Sequence, residues 1–185
     1  MISTSDFKNG LNILVDNSPY QIVWFQNHKP GKGGAVMRVK LKHLKKGGII
    51  ERTFKSGEKF ETLSITRQKK QFLYKKGVNF NFMDVNTYEQ VSVSQELLGD
   101  KVNYLKENLE IEAIYLENEL IGIEVPIIIE MTITEAEPGI KGDSISNLTK
   151  IAKLETGADI RVPLFIKKGD KIKVDTKTGE YTERV

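Results

Sequence analysis

"QIVWFQNHKPGKGGAVMRVKLK", residues 21–42, holds two β-rich runs joined by a pliable loop. The leading run, QIVWFQ, is β-branched and aromatic. With Ile22 and Trp24 on one side and Val23 and Phe25 on the other, it predicts a strand buried on both faces. The return run, MRVKLK, alternates with period two. Met37, Val39 and Leu41 are expected to enter a core while Arg38, Lys40 and Lys42 form a row on the opposite face. Between the runs stand Lys29, Pro30, Gly31, Lys32, Gly33 and Gly34. Pro30 presets its own φ, and the three glycines open backbone angles closed to other residues. The stretch reads as a β-hairpin whose tip lets the Lys32 side chain extend, unshielded by any bulky neighbour.

The same grammar runs outward along the 185 residues. VNFNFMDV, IEAIYLENELIGIEV, IIIEMTITEAE, ADIRVPLF and DKIKVDT are short apolar-alternating runs broken by Gly, Asn, Asp or Pro. Many short strands with regular turn signals predict an all-β protein built of small barrels or sandwiches. One stretch, Ser94–Glu107, is expected to be helical, because Leu97, Leu98, Val102 and Leu105 recur at near-helical spacing around Gly99. The charge balance changes sign near Leu63–Thr66, and Pro126 interrupts the strand pattern. Modules are therefore expected at 1–64, 65–126 and 127–185.

The net charge of +3 hides an asymmetry. Residues 1–62 carry 11 Lys/Arg against 5 Asp/Glu, residues 63–126 carry 7 against 10, and residues 127–185 carry 10 against 10. From Lys29 to Lys46 there are seven cations and no acid. Charge alone leaves two readings open, a solvated basic face or a site for a polyanion. The loop is similarly two-sided, since Pro-Gly and Gly-Gly are ordinary turn chemistry. A long glycine-rich loop is nonetheless costly in entropy beside a two-residue turn, and the basic row adjoins it, which favours nucleic-acid contact led by Lys32.

Several chemistries are excluded. No cysteine is present, which removes disulfides, zinc thiolates and cysteine nucleophiles. The GxxxxGK[ST] phosphate loop is absent, because Gly33 follows Lys32 and a strand stands where a helix is required. His28 and His43 flank the basic strand and form no metal pair. Gly142-Asp143 and Gly169-Asp170 read as turns. The inventory predicts no catalytic residues, no metal and no cofactor, hence a non-enzyme. The opening MISTSDFKNG lacks a secretory pattern and no run is long enough to span a bilayer, so a cytoplasmic protein without membrane contact is expected.

At this point longer motifs carry a resemblance. Asp6–Leu11 (DFKNGL), Val15–Tyr20 (VDNSPY), the KPGKGGA loop, Glu51–Glu61 (ERTFKSGEKFE) and Phe72–Gln90 (FLYKKGVNFNFMDVNTYEQ) resemble the bacterial translation elongation factor P family. So do Lys150–Gly169 (KIAKLETGADIRVPLFIKKG) and the closing GDKIKVDTKTGEYTERV. The similarity runs end to end. It implies an SH3-like, KOW-type domain followed by two OB-folds in an L-shaped, tRNA-like arrangement. It implies a monomer that binds the 70S ribosome and its rRNA between the P and E sites. There it would hold the P-site peptidyl-tRNA and stimulate peptide-bond formation at polyproline stalls.

Residue by residue, Lys32 falls on the family's tip lysine, commonly extended by a lysine-modifying enzyme. A lysyl-type or an aminopentanol-type addition would each suit a lysine, whereas the rhamnosylated branch uses arginine. Gly142, Asp143 and Ser144 match a loop that approaches the E-site mRNA codon, with Ser144 where Thr is usual. Ser146–Ala152 departs from the usual GGTKPA, with Asn147, Leu148 and Ile151 replacing two glycines and a proline. Tyr181 and Arg184 match residues facing the P-site tRNA and small subunit. The rivals are a general single-stranded RNA-binding β-barrel without ribosome specificity, and a phosphotransferase using Lys32. Against the first, the middle third is acidic and its aromatics alternate as core residues do.

Overall fold

The computed structural model describes residues 1–29, 34–136 and 149–185. Strands dominate among them, so the fold is all-β. The chain divides into two compact units, residues 1–67 with 114–122 and residues 68–113 with 123–185.

In the first unit, β1 (Ile2–Ser3) pairs with β6 (Lys59–Phe60). The strands β2 (Asn12–Val15), β3 (Ser18–His28), β4 (Val36–His43) and β5 (Ile49–Lys55) form an antiparallel sheet in that order. The β2–β3 turn is made by Asp16 and Asn17, with φ of 48° and 59°. Asp and Asn tolerate this left-handed region, and two such residues give the turn whose twist matches flanking strands. Ile13, Ile22, Val39 and Leu41 are fully buried on one face, packed with Phe7, Phe54 and Phe60. Phe54 and Phe60 meet edge-on with centroids 4.6 Å apart.

One expectation fails here. Residues 21–26 are not buried on both faces, because the β3–β4 register shifts between Ile22 and Trp24. Val23 is the extra residue of a β-bulge, and a bulge moves every later side chain to the other face. Ile22 and Phe25 therefore share the inner face opposite Leu41 and Val39, while Trp24 turns outward.

In the middle of the chain, β7 (Ile65–Lys76), β8 (Asn79–Asp84), β9 (Gln90–Ser94), β10 (Glu110–Leu116) and β11 (Glu119–Glu124) form a sheet ordered β11-β10-β7-β8-β9. Phe72, Phe80 and Phe82 are buried as the alternation predicts. Also buried are Lys70 and Asp84, whose Nζ and Oδ2 lie 3.1 Å apart. The expected helix over 94–107 is shorter. It forms one α turn, α1 (Gln95–Leu98), and then a 3-10 stretch over Gly99–Tyr104. Gly99 has φ of +55°, which stops the α-helix after four residues. Leu98 and Leu105 still reach the core, while Leu97 is exposed.

The last sheet runs β14-β13-β12-β15-β16, from β12 (Ile128–Ala136), β13 (Thr149–Leu154), β14 (Asp159–Pro163), β15 (Lys171–Asp175) and β16 (Glu180–Arg184). Met131, Ile133, Leu154, Val162, Ile166 and Ile172 form its core, with Tyr104 and Leu109 packed against it. Gly169-Asp170 is a turn as expected. Gly169 has φ of +89°, and the Asp170 carboxylate accepts from the Lys167 N–H at 2.8 Å.

Candidate nucleic-acid interface

Residues directly opposed in an antiparallel pair point to the same face. Arg38 opposes Gln26 and Thr53, Lys40 opposes Trp24 and Glu51, and Lys42 opposes Gln21 and Ile49. Arg38, Lys40 and Lys42 are exposed, while Met37, Val39 and Leu41 between them are at most 8% exposed. The buried row fixes the strand, and the fixed strand holds three cations in line. The Lys40 ammonium stands 5.6 Å from the centroid of the Trp24 ring.

The turn beyond β4 is shaped locally. His43 Nδ1 accepts from the backbone N–H groups of Lys45 and Lys46, each at 3.1 Å. The His43 ring also meets Tyr20 edge-on at 5.0 Å. Lys45 is committed to an ion pair with Glu119 at 2.7 Å. At the other end of the hairpin His28 opposes Val36. Ala35 lies outside β4, its carbonyl accepting from the Ser56 N–H at 3.0 Å, so the connection covers residues 29–35 rather than 29–34. Lys29 and Gly34 flank the tip and are exposed. Pro30, Gly31, Lys32 and Gly33 lie outside the described residues, as do Gly142, Asp143 and Ser144.

The sheet thus brings Arg38, Lys40 and Lys42 together at the base of the hairpin that Lys29 and Gly34 continue. Tyr181 and Arg184 belong to the other compact unit. Tyr181, opposite Val174, is partly buried against the core of the last sheet. Arg184 is exposed, with its guanidinium 5.9 Å from the centroid of Phe165, which is itself exposed. Trp24 and Phe165 are the aromatic neighbours that sequence reasoning missed. Alternation places Trp24 in the core because a bulge leaves no mark in it. Phe165 sits in a loop after Pro163, where strand periodicity gives no direction.

Among the described residues, no group of three His, Cys, Asp or Glu side chains could hold a metal. A groove of about 680 Å³ in the second unit is lined by Phe72, Tyr74, Lys75, Phe80, Lys106 and Glu155, among others. Three of its four charged side chains serve local structure. Lys75 lies over Phe80 at 5.2 Å, Lys106 donates to the Glu130 carbonyl, and Glu155 accepts from the Thr132 N–H at 2.8 Å. Burial pulls the Lys101 ammonium below its ordinary value, with Glu124 opposing that shift, and its Nζ donates to the Ile123 carbonyl.

Comparison with known proteins defines the class. The Elongation factor P (EF-P) KOW-like domain matches residues 3–60, the Elongation factor P (EF-P) OB domain residues 65–123, and Elongation factor P, C-terminal, residues 129–184. Among solved structures, the eukaryotic translation initiation factor 5A from Methanococcus jannaschii aligns with a TM-score of 0.53 and 26% identity, over 68% of this chain and 90% of that one. An eif-5a family protein from Naegleria fowleri shares the fold at a TM-score of 0.55, with 13% identity over 67% of this chain and 96% of its own. Fold and matches together describe an all-β translation factor that is not an enzyme. Elongation factor P of Endomicrobium trichonymphae is 81% identical over 184 residues, and that of Moorella thermoacetica 50%, each covering 100% of both chains. The chain belongs to the bacterial elongation factor P family.

Proposed function

We propose that this translation elongation factor binds the 70S ribosome between the P and E sites and positions the peptidyl-tRNA, stimulating peptide-bond formation at consecutive prolines. The observation that carries the reading is the β3–β4 hairpin. It holds three exposed cations in line, backed by a buried apolar row, and the chain segment it supports contains Lys32. Such a face suits rRNA or tRNA phosphates. Proline is a poor nucleophile in peptide-bond formation, and orienting the two reactants lowers the barrier without any side-chain acid or base. Lys32 is the reaching group, lengthened by a lysine-modifying enzyme.

The working modules are residues 1–64, 65–126 and 127–185. Gly142, Asp143 and Ser144 face the E-site codon, and Tyr181 and Arg184 face the P-site tRNA and small subunit. The factor acts as a cytoplasmic monomer. Family membership and the inherited motif positions support these assignments. Reconstituted translation of a polyproline message tests the reading. Lys32→Ala is expected to leave the thermal midpoint unchanged and to abolish relief of stalling. A Lys32→Ala protein that relieved stalling as well as the wild type would overturn it.

A further inference from the structure

The outer face of the first sheet carries an aromatic among its cations. Trp24 is the single tryptophan of the chain, and it stands 38% exposed. Lys40 lies directly opposite it, with Arg38 and Lys42 one two-residue step to either side. That step is ~6.8 Å along a strand. The bulge at Val23 is what places the indole here, since the apolar partners of β3 and β4 pack on the other face. The Lys40 ammonium over the ring makes an exposed cation–π contact, weak enough for a better π partner to replace. Gln26, on the same face opposite Arg38, offers an amide to a base edge. Glu51, beyond Lys40 on β5, repels an anion laid over that strand and leaves the β3–β4 side as the favourable track.

A flat π surface flanked by cations is chemistry for a nucleotide, in which the base stacks and the neighbouring phosphates are neutralised. We propose that Trp24 is a stacking platform for an unpaired nucleobase of the RNA this face meets, with Arg38 and Lys42 taking the phosphates on either side. Lys40 leaves the ring for a phosphate as the base arrives. The identity of that RNA rests on the ribosome reading above, whereas the stacking chemistry does not.

The test uses the full chain and two probes, ribosomes and a single-stranded oligoadenylate. Trp24→Ala should weaken binding to ribosomes by about 5- to 100-fold. It should leave the dependence of log affinity on log salt unchanged, because removing an indole alters no counterion release. Trp24→Phe should recover most of the loss. Oligoadenylate should quench the fluorescence of the wild-type protein, whose only indole is Trp24. A Trp24→Ala affinity for ribosomes within twofold of wild type, an altered salt slope in that variant, or no quenching by oligoadenylate would each overturn the platform. A wild-type chain that was quenched by RNA yet ignored ribosomes would overturn the function proposed above and leave the platform standing.

Discussion

Lys40 and Lys70 are the same residue type on interior strands of two different sheets, and the fold treats them oppositely. Lys40 is exposed, faces an indole, and lies in a row with Arg38 and Lys42. Lys70 is 5% exposed, with its ammonium against Asp84 at 3.1 Å. Asp84 is also fully occupied. Its other carboxylate oxygen accepts from the backbone N–H groups of Asn86 and Thr87 at 2.9 and 3.0 Å. Those two backbone bonds, then the Lys70 hydrogen bond, hold the Asp84 carboxyl down to about 2. One lysine is committed to folding and the other stands at the surface. A buried charge is tolerated only when paired and hydrogen-bonded, so the middle sheet had to supply its own counter-ion. The first sheet places its cations in water, where they cost little and remain available.

The comparison is most severely tested by removing the counter-ion. Asp84→Ala takes the carboxylate from beside the buried Lys70 ammonium and frees two backbone donors, so the thermal midpoint should fall by roughly 5–15 °C. A calorimetric scan showing no fall would erase the distinction between the two lysines. Converting Arg38, Lys40 and Lys42 together to Gln should do the reverse. The midpoint should stay within about 2 °C, since none of the three residues is buried. Ribosome affinity should drop, and its salt slope should lessen by about 0.7–0.9 for each phosphate no longer neutralised. Filter binding at several salt concentrations measures both.

Acid sharpens the same contrast. The folded Asp84 carboxyl lies below the ~3.9 of an unperturbed aspartate, so its stabilisation is complete above that value. It is lost as pH falls from about 4 towards 2. Midpoints recorded from about pH 6 down to about pH 2 should show this step in the wild type and a smaller one in Asp84→Asn. The smallest effect belongs to the ion pair of Lys45 and Glu119, with side chains 39% and 64% exposed. Glu119→Ala should cost under about 1 kcal/mol by urea titration, because water and salt screen such pairs.

Much of the architecture is legible in local pattern. Alternation assigns Met37, Val39 and Leu41 to the core and Arg38, Lys40 and Lys42 to the surface, and the register bears this out. It also buries Phe72, Phe80 and Phe82. The helix expected over 94–107 is too long because leucine spacing is blind to the backbone angle that Gly99 adopts. Tyr181 is legible as a family position but not as a residue half-packed on a core.

By itself the sequence determined what depends on near neighbours: strand periodicity, the Gly169-Asp170 turn, the inner and outer rows of β4, and the family motifs. Tertiary structure decided what depends on strand partners. Val23 bulges only because β3 must keep register with β4 on both sides of it, and that extra residue turns Trp24 from the core to the outer, cationic face. Lys70 is buried where Asp84, on the adjacent strand, arrives opposite it. Alternation reports which residues can share a face. Pairing across the sheet selects the face and supplies each charge with its counterpart or leaves it to solvent.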